Sequence, residues 1–176
     1  MSPVQVTRTY LEMTSPGQLR PAPIPDPAPG IERIGECPAS FFRYLYAEVG
    51  QAYHWTDRLG WSDDEVRRHL AGPGVSLWLL VWQSAPAGYF ELARQEEGDG
   101  SIEIAYFGLL PEYIGRGWGK HLLTEAVRTA WSLSPGRVWL HTCTLDHPAA
   151  LPNYIRRGFQ PVREEIYTSE LPVGPE

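Results

Sequence analysis

The chain has 176 residues, of which 43% are apolar and 12% aromatic, a composition that suits one folded domain (1–176) with a sizeable core and excludes a disordered chain. Fifteen Lys and Arg against 21 Asp and Glu leave a net charge of −6, which disfavours a nucleic-acid partner. No apolar run reaches the roughly 18 residues of a membrane span, the N-terminus lacks a secretory pattern, and the only two cysteines, Cys37 and Cys143, carry no disulfide framework, so they read as free thiols of a cytoplasmic protein.

Val4 to Met13 is rich in β-branched residues and alternates loosely, which predicts a first strand. Pro21, Pro23, Pro25, Pro27 and Pro29 then occupy alternate positions, so 21–30 is expected to be an extended connection. Phe41 to Val49 places Phe41, Tyr44, Leu45 and Glu48 at helical spacing. A second helix should open at Ser62, with Glu65 completing a capping box, and stop at Gly72-Pro73-Gly74.

Val75 to Gln83 is almost continuously apolar and is expected to be a strand buried on both faces. Ser84 to Gly88 reads as a turn, Tyr89 to Gln95 as the returning strand, and Glu96 to Gly100 as a second turn. A third strand from Ser101 closes an antiparallel meander. After a helix over Leu122–Trp131, Ser134-Pro135-Gly136 breaks the chain. Arg137 to Leu145 reads as a strand, Pro148 to Arg157 as a short helix ended by Gly158, Phe159 to Glu170 as a last strand, and 171–176 as a tail.

The most informative stretch is Ser101 to Ala130. Ile102, Ile104 and Tyr106 alternate with Glu103 and Ala105, a period of two. Gly115, Gly117 and Gly119 follow at every second residue, and Leu122, Leu123, Ala126, Val127 and Ala130 then form a helical stripe. Glycines at a helix entry let the backbone approach a ligand and leave first-turn N–H groups free, which with the helix dipole makes an anion site. Arg116 and Lys120 add positive charge. A Walker loop is excluded because Ile114 and His121 stand where it needs Gly and Ser or Thr. A dinucleotide fingerprint fails because Lys120 or Leu122 stands at its third glycine.

Gly115-Arg116-Gly117-Trp118-Gly119 followed by Leu122-Leu123 resembles the central motif of the GNAT superfamily of acyl-CoA-dependent N-acyltransferases, Gln/Arg-x-x-Gly-x-Gly/Ala, with Ile114 departing at its leading position. His147 to Phe159 resembles the family's Asn-x-x-Ala-x-x-Leu-Tyr-x-x-x-Gly-Phe: Tyr154, Gly158 and Phe159 match, while His147 replaces the Asn and Asn153 the Leu. The element order matches the family from Val4 to about Leu171. The resemblance implies a mixed α/β fold: a twisted, mainly antiparallel sheet, its fourth and fifth strands splayed to admit the cosubstrate, with helices on both faces.

It also implies transfer of an acetyl group from acetyl-CoA to a primary amine of a small molecule or peptide, without a metal. Gly115, Arg116, Gly117, Trp118, Gly119 and Lys120 would hold the pyrophosphate, Leu109 and Leu110 would offer backbone groups to the pantetheine arm, and His147 stands at a cofactor-arm position. Such chemistry needs a neutral amine and a proton for the leaving thiolate. Glu103, set in an apolar strand where a carboxylate is costly, is the first candidate base, at the position of the catalytic glutamate in part of the superfamily. Glu91 is the second. Tyr154 is the candidate acid.

His54, Trp55, Asp57, Arg58 and Trp61 fall in the segment that covers the acceptor side in the family, and Glu91 is expected to face the same side. His141, Cys143, Asp146 and His147 lack a second spaced ligand pair, so a zinc site is not expected. No G-x-S-x-G elbow is present. A regulator that binds acyl-CoA without turnover stays open on Ile114 and His147, and a homodimer stays open as well.

Overall fold

In a computed structural model the protein is described at residues 2–95 and 98–171. Seven strands form one sheet: β1 Ser2–Met13, β2 Gly30–Ile34, β3 Val75–Trp82, β4 Ala85–Arg94, β5 Ile102–Leu109, β6 Val138–Cys143 and β7 Gln160–Leu171. Their order across the sheet is β2-β3-β4-β5-β6-β1-β7. Every neighbouring pair is antiparallel except β5 with β6. The helices are α1 Ala39–Gly50, α2 Asp63–Leu70, α3 Trp118–Ser132 and α4 Ala150–Arg156. The fold is thus mixed α/β, as the element order implies.

Two apolar cores lie on opposite faces of the sheet. Leu122, Leu123, Ala126, Val127 and Ala130 of α3 and Tyr154 of α4 pack on Leu11, Met13, Phe90, Leu92, Ile102 and Leu140. Phe42, Leu45 and Val49 of α1 and Val66 of α2 pack on Leu77, Tyr89 and Leu110. The expected stripe on α3 is therefore the buried one, and the crossover β5–α3–β6 joins the parallel pair, as a parallel connection requires. The capping box at the start of α2 is present: Ser62 Oγ accepts the Glu65 N–H, and Glu65 accepts the Ser62 N–H at 2.7 Å.

Four details differ from the sequence reading. A short edge strand, β2, follows the proline run and pairs Ile31 with Leu80; the prolines before it concealed a five-residue strand. The turn between β3 and β4 is only Gln83-Ser84, both left-handed at φ 49° and 65°, the conformation of a tight hairpin but without glycine to mark it. Pro86 sits in β4 because the β4–β5 ladder begins only at Gly88↔Leu109, so its missing N–H breaks no ladder bond. In β3 only Leu77 and Leu80 are fully buried, because the strand beside it is the short β2. The turn expected over 96–100 and the tail over 171–176 lie partly outside the described residues.

The proline-rich connection is held down at two places. Arg20 N–H donates to the Arg157 carbonyl at 2.9 Å, and Ala22 N–H donates to Thr124 Oγ1 on α3 at 3.0 Å. Gly158, at φ 106°, ends α4 against this connection: a Cβ there would overlap the Gln18 carbonyl. The Gly158-Phe159 pair therefore fixes where α4 stops and where Phe159 enters the core.

Candidate active site

The parallel strands β5 and β6 pair only at Ile102↔Val138 and Glu103↔Trp139. Beyond that point they diverge, so the β5 edge from Ile104 to Leu109 has no ladder partner among the described residues. These are the fourth and fifth strands of the sequence reading, renumbered by the extra β2. Leu110 donates its N–H to the Ala87 carbonyl, and its own carbonyl accepts the Tyr113 N–H, so its N–H is spent within the protein. Of the pair expected to serve a pantetheine arm, Leu109 alone presents its backbone to the opening, because N–H directions alternate along a strand.

The chain leaving β5 turns through Pro111–Tyr113 into Gly115 and Gly117, at φ 89° and 76°. Gly117 is the N-cap residue of α3, and no side chain caps that end and no carboxylate lies in its first turn. The first-turn N–H groups are therefore free for an anion, in the direction the helix dipole favours. Among the described residues neither Arg116 nor Lys120 has an acidic partner. The Arg116 guanidinium rests 5.0 Å from the Tyr113 ring centroid and 5.2 Å from that of Trp118. Trp118 itself is buried against Trp82 and Tyr113, so its backbone rather than its indole faces the anion side.

Gly117→Val should weaken acetyl-CoA binding about 10²-fold, since a β-branched residue resists the left-handed conformation by more than the ~1–2 kcal/mol an ordinary side chain loses there. Calorimetry on both proteins checks it; equal affinities would remove the anion assignment.

The opposite side of the opening is built on one sheet face. Ladder registers place Glu103 and Tyr106 of β5, Glu91 of β4, Trp139 and His141 of β6, and Arg8 and Tyr10 of β1 on the face that α1 and α2 partly cover. The helices cover the β3–β5 half. Glu103 stands at the border of the covered half, with 17% of its side chain exposed. Burial, and then the charge of Glu91, push its carboxyl up to about 7, against the pull of Arg58.

Glu91 does not line the acceptor side as expected. Its side chain is 0% exposed, and both its oxygens are taken: Arg58 donates to Oε2 at 2.6 Å and to Oε1 at 3.0 Å, and His69 Nε2 lies 2.9 Å from Oε1. Burial pushes the carboxyl up, and the hydrogen bonds from His69 and Arg58 with the Arg58 charge outweigh it, so Glu91 rests below the usual carboxylate range. The guanidinium of Arg58, 10% exposed, lies 4.2 Å from the Tyr106 ring centroid and 4.9 Å from that of Trp61. This buried pair fastens the 51–61 segment onto the sheet. The spacing of Glu91 along β4 gave no hint of it, because Arg58 and His69 lie on separate elements.

The fastened segment carries Trp55, whose ring meets Tyr106 edge-on at 4.9 Å and Tyr46 at 5.6 Å. Asp57 and His54 are exposed beside it. Trp55→Ala should raise the acceptor KM about tenfold, the ~1.4 kcal/mol scale of one lost aromatic contact, with acetyl-CoA affinity unchanged; the reverse pattern in steady-state kinetics and calorimetry would put Trp55 on the cofactor wall.

On the other face, Tyr154 is buried between Phe107 and Phe159, each 6.2 Å away edge-on, and burial pushes its phenol up. It therefore keeps its proton at neutral pH. His147 accepts the Ala149 N–H on Nδ1 at 3.0 Å and packs edge-on against Tyr53. Among the described residues no cluster of three or more His, Cys, Asp or Glu is placed to hold a metal, and no helix is long and apolar enough to cross a membrane.

The model of the acetyltransferase (GNAT) family matches residues 42–159. No curated protein matches significantly. A GCN5-related N-acetyltransferase from Sphaerobacter thermophilus superposes with a TM-score of 0.64 at 17% identity, over 95% of this chain and 51% of that one. A second, from Kribbella flavida, gives 0.62 at 20% identity, over 94% and 59%. An aminoglycoside acetyltransferase from an uncultured soil metagenomic sample, in complex with trehalose, gives 0.59 at 15% identity, over 72% and 85%. The chain spans about half to two thirds of the first solved structures it matches, 62%, 51% and 59% of their lengths. These likenesses carry the fold, and the family match runs from α1 through the diverging strands and the uncapped turn to Phe159. The chain belongs to the acetyltransferase (GNAT) family.

Proposed function

We propose that this protein transfers an acetyl group from acetyl-CoA to a primary amine of a small molecule or peptide. The observation that carries the reading is the placement of Glu103. A carboxyl held at about 7 stands where the strands begin to part, at one end of an opening whose far end is the uncapped turn of α3. The residues present fit acetyl-CoA: free first-turn N–H groups with Arg116 and Lys120 suit its pyrophosphate, and the unpaired β5 edge suits an extended amide-bearing arm. Acetyl-CoA supplies the activated acetyl thioester.

This chain's residues handle the acceptor and its protons. An alkyl ammonium has a pKa of about 10.4 in water and cannot attack until it loses a proton. Glu103 takes that proton, its elevated pKa making it a base matched to neutral pH. The Tyr154 phenol gives its proton to the departing sulfur and regains one from the nitrogen. Overall, RNH₃⁺ and the thioester give the amide, the free thiol and one proton. Trp55, Tyr106 and the Arg58-fastened segment shield the acceptor from water, which strengthens these interactions.

The test mixes protein and acetyl-CoA with phenethylamine, tryptamine, spermidine and a lysine-bearing peptide. The expected result is free thiol in equal amount to acetylated amine, read by thiol reagent and mass spectrometry. Tight acetyl-CoA binding with no thiol release from any amine would favour a regulator that binds without turnover.

A further inference from the structure

Glu103 faces His141 across the parallel β5–β6 pair. Glu103 lies beside Trp139 in the ladder, so His141, two residues on, stands on the same face one step toward the point where the strands part. Its Nε2 lies 3.8 Å from Glu103 Oε1. The two groups differ in access: the Glu103 side chain is 17% exposed and that of His141 38%. The imidazole therefore stands between a desolvated carboxyl and bulk water. Catalytic hydrogen bonds are often long before substrate arrives, and a small rotation of either side chain closes this one.

We propose that His141 is the proton-relay residue of this site, passing to solvent the proton that Glu103 takes from the acceptor. The proposal rests on the N-acetyl transfer reading with Glu103 as base. An acceptor that arrives as an ammonium leaves one proton on Glu103 in every turnover, and a carboxyl with little solvent access sheds it slowly unless a neighbour accepts it. In the relay the Glu103 O–H bond breaks as a bond forms to His141 Nε2. The imidazolium then loses its Nδ1 proton to water, and ring rotation or tautomer exchange restores the free Nε2.

The surroundings keep the ring ready to accept. Burial, then the charge of Arg8 on β1, hold His141 below the usual histidine range, against the opposing pull of Asp146 after β6, Asp57 in the 51–61 segment and Glu165 on β7. On β1, the Tyr10 ring lies 5.6 Å away, tilted by 56°, and its hydroxyl is spent on Glu165 at 2.9 Å. Tyr10 thus packs His141 without blocking its nitrogens. At pH 7 the imidazole therefore rests neutral, with a ring nitrogen able to accept a proton.

His141→Gln in the full chain tests the relay. With acetyl-CoA and the fastest amine of the panel, kcat should fall about tenfold in dilute buffer, less than the ~10²–10⁴ of a group acting on the reacting atoms, because water and buffer can slowly replace a relay. Added imidazole should restore it, while acetyl-CoA affinity and the melting temperature stay at wild-type values. A kcat equal to wild type at every buffer concentration overturns the relay, and so does a loss that imidazole does not rescue. Glu103→Gln separates the two readings: if it keeps full activity, Glu103 is not the base and the relay falls with it; if it is impaired while His141→Gln is not, only the relay falls. A readout independent of turnover is the NMR titration of the His141 ring. Its curve should change between wild type and Glu103→Gln, because coupled groups titrate jointly, and identical curves overturn the proposal.

Discussion

Glu103→Gln should lower kcat by about 10²–10⁴, the usual worth of a positioned general base, while leaving acetyl-CoA affinity unchanged. The amide keeps the shape of the side chain and removes its basicity. The wild-type rate should rise with pH along a limb near 7, where burial and Glu91 have placed the carboxyl, and the variant should lose that limb. The same substitution should raise thermal stability at pH 8. A carboxyl whose pKa is raised by folding binds its proton more tightly in the folded chain than in the unfolded one. Its contribution is therefore fully present below the unfolded value of 4.5 and is lost as pH rises through about 7, and glutamine has no charge to suffer that loss. A variant that is slower but more stable at pH 8 separates a catalytic role from misfolding. Near-wild-type kcat across the pH range would remove Glu103 as base.

How much of this was legible in the sequence differs between the two sides of the site. The glycine turn into α3 was readable because its signal is local: three glycines, two cations and a helical stripe lie within sixteen residues of one another, and the left-handed φ of Gly115 and Gly117 is what such glycines are for. The parting of β5 and β6 came from the family resemblance, since nothing in either strand alone encodes a ladder that stops after two pairs. The acceptor side was only half readable. Glu103 stood out as a carboxylate among apolar residues. Glu91, the second candidate, lies on a neighbouring strand, yet it is consumed by Arg58 and His69, which approach from the 51–61 segment and from α2. His141 was visible only as part of a rejected metal cluster, because its nearness to Glu103 exists only once a parallel strand pair has been formed across α3. Pairings between distant elements are where the sequence signal ended, and the tight Gln83-Ser84 turn shows the same limit locally: its left-handed residues are not the glycine or asparagine that usually mark one.

Glu91→Gln should cost about 3–5 kcal/mol of stability, because it removes one partner of a buried ion pair and leaves the other uncompensated. Arg58 is then a cation with 10% of its side chain exposed, held against Tyr106, Trp61 and Phe42, which offer it only ring faces. In a chain of this size the loss should appear as a fall in Tm of about 6–20 °C. The double variant Arg58→Met with Glu91→Gln should recover most of it, since a hydrophobic replacement needs no counter-charge, and that cycle measures the coupling directly. The charge change also reaches the base. Glu91 raises the Glu103 carboxyl and Arg58 lowers it; removing the first and leaving the second unopposed both favour ionised Glu103, so the acid limb of the rate profile should move to lower pH in the single variant. In the double variant both charges are gone, and the limb should return toward its wild-type position, with burial alone holding the carboxyl up. An unchanged Tm and an unmoved limb in Glu91→Gln would mean that Arg58 is not committed to Glu91 in solution, and that the 51–61 segment is held over the acceptor side by its aromatic contacts alone.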